Sequence, residues 1–256
     1  RGIIETGMGG RLDATRLVDA DMCILTTVSM EHSEFLGDTL IQIASEKAAI
    51  HRPGVPLIAL EHDDSEVKQV IERTADDDLF WWPSNHIDST WSSYNSVVEA
   101  ASAYLGWGAF AGECVWPGRS KGYGEDWVDG VVTRLSAAHN AESLQNDLGE
   151  VVRPSVVLLG MSQKADLRAT LEPVVAEICM DHVFPKVVFT EPTRGRNPAV
   201  SIEELSVMMD NMGVGYIPTE VESDPGKAFE IAGAMARELK CELVVIGSVY
   251  LIGDLL

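Results

Sequence analysis

Ile3-Ile4-Glu5-Thr6-Gly7-Met8-Gly9-Gly10-Arg11-Leu12-Asp13-Ala14-Thr15 opens the chain, and it reads as a short apolar strand that delivers one carboxylate into a glycine-rich loop. A carboxylate of catalytic type this close to the first residue implies a chain that starts inside a larger unit. The glycines do not make a dinucleotide fingerprint. Gly-x-Gly-Gly-Arg lacks the Gly-x-Gly-x-x-Gly spacing, and no convincing helix follows it. The loop instead reads as a tight turn in which Arg11 and Asp13 either brace the backbone or lie near a substrate.

Working outward from this loop, short apolar runs bounded by turn signals recur at Met22 to Val28, Val55 to Leu60, Val156 to Leu159, Val187 to Thr190 and Leu243 to Ile246. They are β-branched and apolar on both faces, as central parallel strands are. Helical patterns lie between them at Thr39 to Ile50, Asp64 to Arg73, Tyr94 to Leu105, Asp166 to Cys179, Ile202 to Met212 and Pro225 to Leu239. That alternation predicts an α/β chain with right-handed crossovers. The stretch from Asp76 to Ser93 carries acids, Pro83 and no clean period, and reads as a connection. A second composition change at Gly106 to Trp116 places a domain boundary near residue 111, which gives domains of 1–110 and 111–256.

Composition narrows the partners. Forty acidic against 19 basic residues give a formal charge of −21, a field that repels nucleic acid and anionic membrane surfaces. The excess acid reads as solvated surface of the kind a high-salt lineage carries. Any anionic ligand would need arginine, a metal ion or a helix N-terminus to overcome that field locally. Cys23, Cys114, Cys179 and Cys241 are widely spaced with no paired motif, and three of them (Cys23, Cys179 and Cys241) sit in or beside apolar runs. Buried free thiols in a reducing cytoplasm are therefore expected. No signal peptide and no run of 18 apolar residues is present.

Lys47 is conspicuous on physical grounds alone. Thr39 and Gln42 form a capping-box pattern, and a helix from Thr39 puts Leu40, Ile41, Ile43, Ala44, Ala48 and Ile50 on one arc with Lys47 in its middle. A lysine on a buried face loses hydration and with it part of its basicity, unless it snorkels to the helix edge or finds a buried acid. His32 follows the Met22–Val28 run, where open α/β sheets bind ligands.

The opening stretch resembles the Glu-x-Gly-x-Gly-Gly-Arg-x-Asp-Ala-Thr signature of the folylpolyglutamate synthase/dihydrofolate synthase family, within the Mur ligase superfamily. The resemblance continues through Ser29-Met30-Glu31-His32-Ser33-Glu34-Phe35-Leu36-Gly37, Ser45-Glu46-Lys47-Ala48-Ala49-Ile50, Trp116-Pro117-Gly118-Arg119, Ala138-His139-Asn140 and the closing Gly247-Ser248-Val249-Tyr250-Leu251-Ile252-Gly253. These six motifs keep the family's order from end to end.

The resemblance implies a truncated Mur-ligase-like central, ATP-binding domain over 1–110 and a Rossmann-like C-terminal α/β domain over 111–256. It also implies an ATP-dependent ligase, with Mg²⁺, that adds L-glutamate to dihydropteroate or a folate. By the resemblance, Glu5 and His32 are a magnesium-binding pair and Lys47 is the lysine carbamylated by CO₂, an anionic metal ligand once modified. Asn95 is the adenine-side asparagine and Arg119 the ATP-contacting arginine. His139 and Asn140 belong to an Asp-Gly-Ala-His-Asn loop, and Ser248 lies near the incoming glutamate.

Two departures stand out. Ser136 replaces the aspartate of that loop, and no Gly-x-x-x-x-Gly-Lys-[Ser/Thr] phosphate loop occurs anywhere. The expectation is therefore a cytoplasmic ligase fragment, inactive alone and short of an N-terminal segment or a partner chain. A non-catalytic binding module of the same fold, or a Mur-type ligase for another acid and amine, are the alternatives.

Overall fold

The chain divides into two compact units, Arg1–Glu113 and Cys114–Leu256. The computed structural model describes residues 2–30, 32–83, 90–108, 117–118, 123–151, 154–179, 184, 186–217 and 219–256, with backbone only at 90–95 and 123–126.

In the first unit β1 (Cys23–Leu25), β2 (Leu57–Leu60) and β3 (Leu79–Trp82) form a parallel sheet in that order. Cys23 faces Leu57, and Leu57 faces Leu79. The helices are α1 (Ser33–Leu36), α2 (Leu40–Ala48), α3 (Ser65–Ala75) and α4 (Thr90–Tyr104). Strand alternation sorts β2 between two cores. Leu57 and Ala59 pack with Ile43, Ala44 and Ala48 of α2 and Val67, Val70 and Ile71 of α3. Ile58 and Leu60 pack with Val97 and Ala101 of α4.

Local chemistry sets the helix starts. The Thr39 hydroxyl accepts from the Gln42 N–H at 3.2 Å, while the Gln42 side chain reaches back to the Asp38 N–H at 2.8 Å rather than closing the expected box on Thr39. Asp64 caps α3 through the Glu66 and Val67 N–H groups.

The second unit holds β4 (Tyr123–Val128), β5 (Val131–Leu135), α5 (Ala141–Gly149), β6 (Ser155–Leu159), α6 (Leu167–Cys179), β7 (Lys186–Phe189), α7 (Ile202–Asn211), β8 (Thr219–Val221), α8 (Pro225–Leu239), β9 (Glu242–Ile246) and α9 (Val249–Leu255). Sheet order is β4-β5-β9-β6-β7-β8, all parallel except for β4, which pairs antiparallel with β5. Both β6 and β9 are buried along their whole length. Val157, Leu159, Val244 and Ile246 pack with α5, α6 and α7, whereas Val156, Leu158, Leu243 and Val245 pack with α8 and α9. The helices that follow the adjacent strands β6 and β9 thus lie on opposite faces. Open α/β sheets bind ligands at their C-terminal strand ends under that condition.

Several expectations need correcting. Ile3 and Ile4 are exposed and belong to no strand. Asp76 to Ser93 is not only a connection, because β3 lies within it and the Trp82 indole donates to Ser96 Oγ at 2.8 Å. Among the cysteines, Cys23 is buried and Cys241 half-buried, and burial pushes both thiols up. Cys179 is exposed instead, and Cys114 lies outside the described residues.

One close approach anchors the opening loop. A methyl group on Gly10 would lie 2.6 Å from the Lys47 carbonyl oxygen and 2.8 Å from both the Glu46 oxygen and the Ile50 nitrogen, all backbone atoms at the end of α2. Gly10→Ala should therefore destabilise the first unit by about 1–3 kcal/mol. Denaturant unfolding would check this, and an unchanged midpoint would show that the loop yields freely.

Candidate functional site

The first unit gathers its candidate residues around the end of α2. The Arg11 N–H donates to the Glu46 carbonyl at 3.0 Å, and Arg11 Nε donates to the Glu46 carboxylate at 2.8 Å. A methyl group on Gly9, which has φ +65°, would meet Leu36 Cδ2 at 2.8 Å, so the same loop touches α1 just after His32. Lys47 Nζ donates to the Thr27 carbonyl at 3.2 Å, beyond the end of β1. The glycine loop, the segment after β1 and the last turn of α2 are thereby tied together, with Glu5, His32 and Lys47 on the three pieces.

Lys47 is half-buried rather than central to the apolar stripe. It occupies the last turn of a nine-residue helix, so its side chain leaves the stripe for the neighbouring carbonyl. His32 precedes α1 in the left-handed region, at φ 52°, and makes no side-chain cap. A non-glycine residue held there is uncommon. Both His32 and Glu5 are exposed.

Among the described residues no three His, Cys, Asp or Glu side chains converge in a way that could hold a metal ion. A carboxylate with an imidazole is nonetheless a donor set that magnesium accepts, since that ion retains waters and takes phosphate oxygens for the remaining positions.

Asp13 proves to be the brace of the loop. Its Oδ2 accepts from the Gly7 and Met8 N–H groups, each at 3.1 Å. Its Oδ1 accepts from the Thr15 N–H at 2.9 Å and the Thr15 hydroxyl at 2.7 Å. The Thr15 hydroxyl, followed by the N–H groups of Thr15 and Met8, holds the Asp13 carboxyl below its ordinary value.

In the second unit the candidates meet at one end of the sheet. Asn140 caps α5 in a reciprocal box with Ser143, whose N–H it receives at 2.8 Å. The His139 N–H reaches Ser143 Oγ at 3.2 Å, and its Nδ1 lies 2.8 Å from the Ala137 carbonyl. The Gly247 N–H donates to the Ala138 carbonyl at 3.1 Å, which sets Ser248, the cap of α9, beside the loop that carries His139. The Ala137 N–H donates to Gly118 at 2.7 Å, so Pro117-Gly118 borders the same loop. Arg119 lies outside the described residues. Asn95 falls on α4, and only its backbone is described.

Arg134 and Glu242, paired at 2.8 Å and mostly buried, cross from β5 to β9 and hold the two strands whose ends form this site.

Sequence reading missed Asp147. The buried Ser136 hydroxyl donates to it at 2.5 Å and also accepts from the Ala138 N–H at 3.1 Å. Asp147 is exposed along α5 but loses hydration at its carboxyl, which raises its pKa. Glu150 adds to the rise and the Ser136 bond opposes it. The α5 pattern went unread, so no sequence signal linked the two residues.

No family model matches the chain. Two curated relatives are both named dihydrofolate synthase/folylpolyglutamate synthase. One, from Haemophilus influenzae, is 48% identical over 56 residues, 22% of this chain and 13% of that protein. The other, from Buchnera aphidicola, is 35% identical over 107 residues, 38% of this chain and 24% of that protein. Among solved structures, Mycobacterium tuberculosis folylpolyglutamate synthase complexed with ADP and AMPPCP matches with a TM-score of 0.76 at 18% identity, covering 97% of this chain and 66% of that one. The Escherichia coli FolC protein in complex with DHPP and ADP matches with a TM-score of 0.68 at 18% identity, covering 96% and 63%. The chain thus spans less than two thirds of the relatives it matches.

Its fold is the Mur-ligase-like α/β architecture. Over the part it spans, the chain is similar to dihydrofolate/folylpolyglutamate synthases, the family its motifs resemble.

The Asp13 brace yields a prediction. A carboxyl depressed in the folded state stabilises the loop fully above the ordinary aspartate value of about 3.9, and that contribution is lost as pH falls through the lowered value. Asp13→Asn should remove it at neutral pH and speed amide exchange at Gly7, Met8 and Thr15. Unchanged exchange at these three amides would deny the brace.

Proposed function

We propose that the chain is part of an ATP-dependent ligase that joins L-glutamate to dihydropteroate or a folate. The observation that carries this reading is the coincidence of two likenesses on one chain. Sequence identity of 35% over 107 residues ties it to a bifunctional enzyme of that name, and the fold of folylpolyglutamate synthase extends over 97% of it. The neighbouring structures hold ADP, AMPPCP or DHPP, which supports nucleotide and pteroyl-type ligands here.

In this reading 1–110 is the later part of the central domain and 111–256 is the C-terminal domain. ATP would phosphorylate the acid's carboxylate, the glutamate amine would attack the acyl phosphate, and the tetrahedral intermediate would expel phosphate. Such chemistry rests chiefly on positioning and charge stabilisation. Glu5, His32 and a carbamylated Lys47 would hold Mg²⁺, which when bound neutralises phosphate charge. Asn95, Arg119 and Asn140 would contact the nucleotide. Arginine suits that role because its planar fork donates in pairs. His139 would act at the reacting end, and Ser248 beside the glutamate.

A second reading, a non-catalytic binding module, draws on Ser136. That residue replaces the aspartate of the family loop and donates its hydroxyl to Asp147.

Glutamate-dependent phosphate release from ATP, measured with folate, separates the two. Residues 1–256 alone should be inactive, because no phosphate-binding loop lies within them. A longer chain that adds such a loop upstream should turn over. In that longer chain Lys47→Ala should abolish Mg²⁺-dependent turnover, and bicarbonate should not restore it. An inactive longer chain would favour the binding module, and full activity of Lys47→Ala would reduce Lys47 to a structural role.

A further inference from the structure

The loop from Ser136 to Asn140 has a partner for each of its backbone N–H groups. The Ser136 N–H donates to the Val245 carbonyl of β9 at 2.8 Å, and that of Ala137 to the Gly118 carbonyl at 2.7 Å. Those of His139 and Asn140 both reach Ser143 Oγ on α5, each at 3.2 Å. The Ala138 N–H alone depends on a side chain within the loop, the Ser136 hydroxyl at 3.1 Å. A buried main-chain donor needs such a partner, so the path of the loop depends on where that hydroxyl stands.

A hydroxyl has one proton and turns freely until an acceptor takes it. Here Asp147 takes it at 2.5 Å, which holds Ser136 Oγ in place to receive the Ala138 N–H. Helix α5 is a rigid mount for that carboxylate, because Leu144 and Leu148 are buried in the core and Asn140 caps the helix start. Burial of the carboxyl raises its pKa, the Ser136 bond opposes the rise and Glu150 adds to it, as befits a carboxyl turned toward the loop. The Ala137 carbonyl lies 2.8 Å from His139 Nδ1, and since a carbonyl only accepts, that nitrogen carries a proton. The Ala138 carbonyl receives the Gly247 N–H at 3.1 Å. Any shift of Ala138 therefore moves the His139 imidazole and the turn before Ser248 together.

We infer that Asp147 is a positioning residue for His139, acting through Ser136, and that it supplies from α5 the carboxylate that the loop itself lacks. The inference rests on the ligase reading for the use of His139 but not for its placement. The pair also matches in size. Ser136→Asp lengthens one side chain by a single bond and Asp147→Ser shortens the other by as much, so the exchanged pair spans the same gap and keeps one carboxylate and one hydroxyl.

Nitrogen-15 NMR of residues 1–256 tests the placement without any catalysis. Asp147→Ala should speed exchange of the Ala138 amide about tenfold and release the His139 Nδ1 proton to solvent, while the signals of His51 in the first unit stay unchanged. Asp147→Asn keeps an acceptor of the same length and should preserve both. In a longer chain that turns over, Asp147→Ala should lower kcat about ten- to hundredfold. The double variant Ser136→Asp/Asp147→Ser should recover most of that loss, whereas Ser136→Asp alone, which sets two carboxylates against each other, should not. If no longer chain turns over, the ligase reading fails, and the NMR comparison alone decides the placement. Unchanged Ala138 exchange and His139 signals in Asp147→Ala, or no recovery by the double variant, would overturn the inference.

Discussion

The insertion of β9 between β5 and β6 is the constraint on which the second unit depends. The last strand of the chain is apolar on both faces, so it is stable only in the middle of a sheet with helices above and below. Taking that slot separates β5 from β6 and sends the helices after β6 and β9 to opposite sides. The strand-order arrangement that open α/β sheets use to bind ligands at their C-terminal strand ends is a by-product of that burial rather than a separately built feature. It also explains why candidate residues far apart in sequence lie together: once β5 and β9 pair, the loop with His139 and Asn140 and the turn with Ser248 lie at the same end of the sheet. The pair of Arg134 and Glu242 supports this adjacency, because breaking a mostly buried ion pair leaves one charge uncompensated.

The first unit solves a different problem. Its sheet has only three strands, and the opening segment carries glycines where a helix or strand would bury side chains. Order comes instead from polar groups. Asp13 collects four donors of the loop, and Gly10 lets the backbone close on α2, where a side chain would meet three backbone atoms. Because α2 ends at that contact, Lys47 is placed by the same event. A loop held by hydrogen bonds to one carboxylate keeps its shape while Glu5, just before it, stays exposed.

Legibility in the sequence followed burial. The helix Pro225–Leu239 was readable to its ends, since Asp224 caps it, Pro225 starts it and Ala228, Ala232 and Ala236 mark the packed stripe. The buried strands were readable for the same reason. What escaped was structure whose signal is not apolar periodicity. In β3, Leu79 to Trp82 follows three aspartates and is half-exposed. All of β8 is exposed. The β4–β5 hairpin did carry a readable signal, since Val128-Asp129-Gly130-Val131 is a two-residue turn with Gly130 at φ +71°, but it went unread. At the site, motifs located the loops, while side-chain partners stayed hidden. Periodicity put Lys47 on the apolar arc, but a stripe continues inward only while the helix does. The partnership of Ser136 with Asp147 is set by how α5 packs, and eleven residues of separation say nothing about that.

The charge of the chain and its candidate ligands pull in opposite directions, and local arrangement decides between them. A formal −21 spread over the surface is screened within about 8 Å at physiological ionic strength. An anion near a cavity wall therefore responds chiefly to the groups lining it, and a few arginines can outweigh many distant acids. This holds only if nearby carboxylates are neutralised or turned away. The Asp13 oxygens accept from backbone N–H groups and the Thr15 hydroxyl, and Glu46 pairs with Arg11, so each of these acids has its own internal partner. The same hydrogen bonds that shape the glycine loop thus keep the Asp13 carboxylate ionised and turned onto the loop's own N–H groups.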